Sequence, residues 1–442
     1  MSIPLDNLYH WVESLVPAPV VLYVFHPHGS KKISDFNWLW NYLEKYHNRL
    51  PLLPAVIFND QEPLDWNLYN CPQTYLSHES YIHKGLPQEF WHLRNQYYSN
   101  FNLKSMVYLR SSQIYDNVVL VHSEKNSRDL TQYEQNGFVS VHYWAHAIIA
   151  RDWYRFAEYD TRLAQSTIPQ NKFLIYCRDW SHRREYRLKF LEMLAINQLA
   201  NDSMISVMHT NSDGIHYSQH KFSNPDLDLT RPEIISQFEN NNLSSTTSAD
   251  YDYLDFITTE ISVVLETVFD DSRIHLTEKT LRPIACGHPF ILAAGPGALE
   301  YVRSYGFKTF APWIDESYDS ETNSVKRLEK IIQAMKKIQN LQGQELEEFS
   351  QAIKAIADYN KNHFFSDEFS NMLTGELKNN LSLALDQVSK SQGKNYLGYL
   401  KQFKQSRLQH NILQRREKTL GLRQLRQAGR GSQSSHQTDP LA

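Results

Sequence analysis

Cysteine is scarce in this chain: Cys71, Cys177 and Cys286 are the only three in 442 residues. They are far apart and odd in number, which excludes a disulfide framework and a zinc cluster with close ligand spacing. Buried free thiols are the expectation. Long apolar runs are missing too, and nothing approaches the roughly 18 uninterrupted apolar residues of a membrane-spanning helix. The opening MSIPLDNLYHWVESL carries no basic stretch followed by a long apolar one, so it does not read as a secretory leader. No internal repeat of fixed period is visible. The chain is therefore expected to be soluble and cytosolic, with no transmembrane segment.

What is present is a globular composition, with 21% charged residues, 41% apolar residues and an aromatic share of 13%. The length suits two domains plus an extension, each domain large enough to bury its own core. The formal net charge of −4 hides an asymmetry, because residues 390–430 hold eleven Lys or Arg against one acid, Glu417. That basic arm calls for an anionic partner. Its apolar residues, among them Tyr396, Leu400, Phe403 and Ile412, leave three readings open: a helix docked on the body, on a membrane surface, or on nucleic acid.

Short β-branched runs at 20–25, 52–58 and 118–122 alternate with amphipathic stretches, which argues for a parallel sheet covered on both faces. The grammar restarts at FLIYC (173–177) and continues through ISVVLE (261–266), PFILAA (289–294) and FKTFAP (307–312). Gly287 and Gly306 stand where helices should end in a left-handed cap. From Ser324 to Val388 the pattern is helical, with Leu328, Ile331, Ile332, Met335 and Ile338 on one stripe. The expected division is residues 1–165 and 172–345 as two α/β domains, 346–428 as a helical extension with the basic arm, and 429–442 as a disordered tail.

Chemistry concentrates in a few stretches. In RIHLTEKTLRPIACGHPFILAAGPG (273–297), Thr277 reads as a helix N-cap at the carboxyl edge of a sheet, where backbone N–H donors face outward. Lys279 in the first turn opposes the helix dipole, a local cost that suits phosphate, and Glu278 could accept from a ribose diol. The competing reading makes Glu278 an ordinary first-turn acid and Lys279 a solvated side chain. In RDWSHRREYRLKFLEML (178–194), Arg183 and Arg187 are spaced to share one helix face and clamp a diphosphate; the alternative is a surface pairing with Glu185 and Glu192. Asp60, Glu62 and Asp65 follow the strand at 52–58 and are candidates for a general base, with a plain turn around Asp60 and Pro63 as the rival. His146 and Asp152, within an aromatic-rich segment at 122–156, could line an acceptor side, against the simpler reading of an aromatic core helix. The triplet Asp250-Tyr251-Asp252, the HPH at 26–28 and the His142/His146 pair lack the context of a metal site, so no metal is expected.

The run SVVLETVFDDSRIHLTEKTLRPIACGHPFILAAGPGALEYVRSYGFKTF resembles the donor-binding region of α1,3-fucosyltransferase-like glycosyltransferases: a strand closing on a glutamate, Thr-Glu-Lys at a helix start, then a Gly/Pro-Phe-Ile strand and turn. The likeness covers about residues 260–320. It implies a GT-B fold, two Rossmann-like domains facing across a cleft, with a nucleotide diphosphate sugar as donor, an acceptor hydroxyl, no other cofactor, and inversion as the stereochemical expectation. By position it implies that Glu278 meets the ribose, that Lys279 and Arg187 meet the diphosphate, and that Glu266 closes the preceding strand. The chain departs from that pattern in following Glu266 with Thr267 and Val268 rather than Asn-Ser, so the sugar is left open. Two further functions stay open beside transfer to a glycan or other hydroxyl: transfer to modified nucleic acid, and a non-catalytic nucleotide or glycan binder on a GT-B scaffold. A structural protein that binds no nucleotide is the remaining rival.

Overall fold

The computed structural model describes residues 21–25, 55–59, 64, 118–135, 138–165, 168–211, 214–239 and 248–391. Within them the chain is mixed α/β with two four-stranded sheets, both parallel throughout. The first takes β1 (Val21–Phe25), β2 (Ala55–Asn59), β3 (Val118–His122) and β4 (Val139–His142) in sequence order. The second takes β5 (Asn171–Cys177), β6 (Ser203–Val207), β7 (Thr259–Leu265) and β8 (Phe290–Ala293) in the order β6-β5-β7-β8. Between β5 and β7 the chain direction of travel across the sheet reverses. In open parallel sheets such a reversal leaves a crevice at the strands' carboxyl ends, because the flanking helices diverge to opposite faces there.

Helices α1 (Arg128–Gln135), α2 (Ala145–Trp153), α3 (Tyr186–Ile196), α4 (Tyr253–Ile257), α5 (Glu278–Cys286) and α6 (Ala298–Ser304) cover the sheets. Three longer ones follow: α7 (Ser324–Gln339), α8 (Gly343–Phe365) and α9 (Asp367–Ser391). The stripe on α7 is buried as its periodicity predicts, from Leu328 to Ile338. Residues 145–151 of α2 are buried on every side, since the helix packs on α5 and α9. Trp144, just before it, is wholly buried; its indole N–H donates to Leu276 O at 2.9 Å, and its ring lies among Tyr301, Tyr305, Phe307 and Phe369. For Trp144 the aromatic core reading holds.

Helix α9 returns to the first sheet. Asn380 donates to His142 O at 2.7 Å, and Glu376 joins the His142 ring (3.3 Å) to the Tyr305 hydroxyl (2.8 Å). The last described helix thus ties the edge of the first sheet to α6 of the second half.

Two strands escape the apolar pattern, and one expected strand is not formed. Strands β4 (VSVH) and β6 (SMISV) are sheet edges, each with a single fully buried residue, so their apolar signal is weak. The segment 307–312 does not pair in a sheet. Side chains take over its backbone instead: Asn360 both accepts from Lys308 N and donates to Lys308 O at 2.8 Å, and Glu316 accepts from Phe310 N at 2.6 Å. Gly287 (φ 67°) and Gly306 (φ 89°) do lie in the left-handed region at the ends of α5 and α6, as expected.

Candidate functional site

The site is built at the carboxyl ends of β5 and β7. Glu266 follows the last residue of β7 and is fully buried. Its carboxylate accepts five hydrogen bonds: from Thr277 N (2.9 Å), Thr280 N (3.2 Å) and Thr280 Oγ1 (2.6 Å) on one oxygen, and from Thr277 Oγ1 (2.7 Å) and Thr267 N (3.3 Å) on the other. Thr277 is the N-cap of α5, as its sequence position suggests. The anion that the N-terminus of α5 attracts is therefore an internal one. A carboxylate seated on the orphan amides of a first helical turn is strongly favoured by the helix dipole and by charge-assisted bonding. This corrects the expectation of an open anion site at those amides: Glu266 occupies it.

Glu278 and Lys279 stand next. Lys279 Nζ lies 3.0 Å from Glu278 Oε1 and 3.1 Å from Thr277 Oγ1, so the two neighbours form an ion pair at the helix start. Glu278 is nearly buried while Lys279 keeps about a quarter of its side chain in solvent, at 10% and 27% exposure. Burial works to raise the Glu278 carboxyl, but the charges of Lys279 and His146 beside it prevail and hold it below the usual carboxylate range. His146, from the first turn of α2, places Nδ1 3.8 Å from Glu278 Oε2. His146 thus faces Glu278 across the ends of α2 and α5, and Asp152, at the other end of α2, pairs with Arg155 at 3.3 Å.

The two arginines do not share a helix face. Arg183 sits in a 3-10 turn, His182–Arg184, and Arg187 in the first turn of α3; the left-handed His182 (φ 52°) marks the break between β5 and this turn. Arg187 is buried, and its guanidinium donates to backbone carbonyls at the strand ends: Asp179 O, Leu265 O (2.6 Å) and Glu266 O (3.1 Å). Its fork is spent on the protein's own carbonyls, which removes the geometry of a bidentate diphosphate clamp in this state. Arg183 is more open and meets Asp271 at 3.1 Å and Asp129 at 3.8 Å. Glu185 and Glu192, offered as surface partners of these arginines, are buried: Glu185 accepts from Ser223 N and Asn224 N, and Glu192 from Thr230 and Arg231 N.

A second charged cluster lies beside the first. Arg273 bonds Asp271 (2.6 Å), Asp129 (3.2 Å) and Leu64 O (2.9 Å), and stands 3.8 Å from Glu124. Glu124, two residues beyond β3, accepts from Leu64 N. Glu124 and Arg273 thus grip both polar groups of one residue, Leu64, which borders the acidic segment read as the source of a base. Burial pushes the Glu124 carboxyl up to about 8 and that of Asp271 up to about 6. Gly295 approaches this loop so closely that a Cβ there would meet Arg273 O at 2.4 Å, so only glycine fits. The candidate bases Asp60 and Glu62, with Asp65, lie outside the described residues, as do the HPH at 26–28 and the basic arm beyond Ser391.

Sequence reasoning missed Glu124, Asp271, Arg273 and Thr280. Each looked like an ordinary loop or helix polar residue; only the position of Glu124 directly after a buried strand was a local signal. Asp252 is the N-cap of α4, accepting from Leu254 N at 3.0 Å, which accounts for one member of the Asp-x-Asp triplet. Among the described residues no group of three or more His, Cys, Asp or Glu side chains is placed to hold a metal ion, and no helix is long and apolar enough to cross a membrane.

No protein-family model matches this chain, and no curated protein matches it either.

Proposed function

We propose that this protein is a GT-B glycosyltransferase that moves a sugar from a nucleotide diphosphate sugar to an acceptor hydroxyl with inversion. The observation that carries the reading is the reversal of strand order between β5 and β7, beside which Glu278, paired with Lys279, meets His146 of the first half. The crevice at such a reversal is where parallel α/β sheets take nucleotides. In this reading Glu278 accepts from the ribose diol. Lys279 and Arg183, the more open cations, meet the diphosphate, and Arg187 contributes a buried positive charge behind the strand ends. An acceptor hydroxyl loses its proton to a carboxylate as it attacks the anomeric carbon, and the bond from that carbon to the diphosphate oxygen breaks. Asp60 and Glu62 are the candidates for that carboxylate. Positive charge aimed at the leaving oxygens stabilises the developing negative charge.

The test is a thermal-shift panel of UDP, GDP, CDP, ADP and dTDP against the wild type and Lys279→Ala. One nucleotide should raise the melting temperature of the wild type and lose most of that effect in the variant, by the linkage between ligand binding and stability. No shift with any of the five at millimolar concentration refutes the nucleotide reading. A shift without donor hydrolysis or transfer favours the non-catalytic binder.

A further inference from the structure

One contact at the crevice joins side chains that are distant in the chain. His146 lies four residues past the end of β4, at the carboxyl edge of the first sheet, and Glu278 opens α5 at the carboxyl edge of the second. Their side chains are 4% and 10% exposed, and Nδ1 stands 3.8 Å from Oε2. That distance is within an ion-pair contact and beyond a hydrogen bond, so a small adjustment closes it. The other carboxylate oxygen is held by Lys279 at 3.0 Å. His275 packs its ring edge-on to His146 at 5.3 Å, and the Tyr154 hydroxyl, from the residue after α2, reaches Glu278 O at 3.4 Å. The carboxylate is thus gripped on one side by its own helix and faced on the other by a group from the first half.

We propose that His146 is the positioning residue of the nucleotide subsite, its imidazole setting the orientation of the Glu278 carboxylate across the junction between the two sheets. This rests on the nucleotide reading of the same site. A ribose diol offers two adjacent donors, and a carboxylate receives both only when its plane is fixed. Lys279 fixes one oxygen; His146 fixes the other. Recognition of the ribose then depends on both halves being in place, so nucleotide affinity reports their apposition. Protonation strengthens the contact, because an imidazolium attracts the carboxylate where a neutral ring does not. The charged and titratable groups around the pair are Lys279 and Arg282 on α5, His275 on the preceding loop, Tyr154 after α2, and His122 of β3, which burial and then the charges of His142 and His275 push down to about 3.

The experiment is calorimetric titration of UDP, GDP, CDP, ADP and dTDP from pH 5.5 to 8.5 into the wild type, His146→Asn, His146→Gln, Glu278→Gln and the His146→Asn/Glu278→Gln double variant. Asn and Gln both keep an uncharged amide donor, so one serves if the other fails to fold. The wild type should bind its nucleotide several-fold more weakly at pH 8.5 than at pH 5.5. That dependence should vanish in the His146 variants, and the double variant should bind no more weakly than Glu278→Gln alone. A His146 variant that keeps the wild-type pH profile, or losses that simply add in the double variant, overturns the proposal. Absence of binding by the wild type refutes the nucleotide reading itself and this inference with it.

Discussion

Replacing Glu266 by glutamine tests whether this carboxylate caps α5 or serves a ligand. The change keeps the shape but removes the charge and turns one acceptor oxygen into an NH2 group. Whichever way the amide is set, backbone donors collide with the NH2 group, Thr277 N and Thr280 N at Oε1 or Thr267 N at Oε2, while the threonine hydroxyls can turn to accept from it. Charge-assisted bonds contribute roughly 1.5–3 kcal/mol each, and a buried donor left without an acceptor costs about 1–3 kcal/mol. The bonds share one carboxylate and do not add, so the expected loss is about 3–4 kcal/mol. With the second half of the chain unfolding as its own unit, a loss of that size lowers its melting temperature by roughly 6–16 °C, since each kcal/mol shifts a unit of about 150–250 residues by about 2–4 °C. Differential scanning calorimetry of the nucleotide-free protein measures it. A double-mutant cycle with Thr280→Val should show that the two changes are strongly non-additive, because they delete the same contact. A Glu266→Gln protein that melts within about 1 °C of the wild type would refute the capping argument, since even one lost buried bond predicts more than that.

Other consequences can be checked in parallel. Glu124 is protonated in the folded state up to about pH 8, against an ordinary value of 4.5. A folded carboxyl raised in this way contributes stability below the unfolded value and loses it as pH rises through the folded one. The slope is about 1.4 kcal/mol per pH unit across that window. Wild type should therefore lose about 2–3 kcal/mol relative to Glu124→Gln between pH 5.5 and 7.5, read from urea midpoints; parallel curves would show the carboxyl to be ordinary. Trp144→Ala removes a fully buried ring and the bond to Leu276 O, and should cost about 3–5 kcal/mol in the same assay. Gly306→Ala forces a side chain onto φ 89° with its Cβ 2.7 Å from His363 Nε2, and should destabilise by about 1–3 kcal/mol, whereas Gly343→Ala, with open space around it, should cost only the backbone strain. Lys279→Ala leaves the nearly buried Glu278 carboxylate without its ion-pair partner, and should cost the nucleotide-free protein about 1–3 kcal/mol by the same urea midpoints.

What the sequence determined by itself is what short-range chemistry encodes. Six of the eight described strands follow from apolar runs, Thr277 from its place before a helix, and Gly287 and Gly306 from the left-handed caps that only glycine adopts without strain. The edge strands β4 and β6 stayed hidden because polar residues on half-buried positions dilute their apolar pattern, and 307–312 misled because an apolar run satisfied by Asn360 and Glu316 looks the same as one paired in a sheet. Only the tertiary structure decided where each charge goes. Glu266 reaches back from the end of β7 to cap α5, Arg187 spends its fork on strand-end carbonyls, and Arg273 gathers Asp271, Asp129 and Leu64. A carboxylate or guanidinium carries no local signature of its partner, since the partner is set by which strand ends the fold brings together. Glu278 and Lys279 were legible as a pair at a helix start; that His146 stands across from them depends on the seating of α2 against α5, which no spacing along the chain encodes.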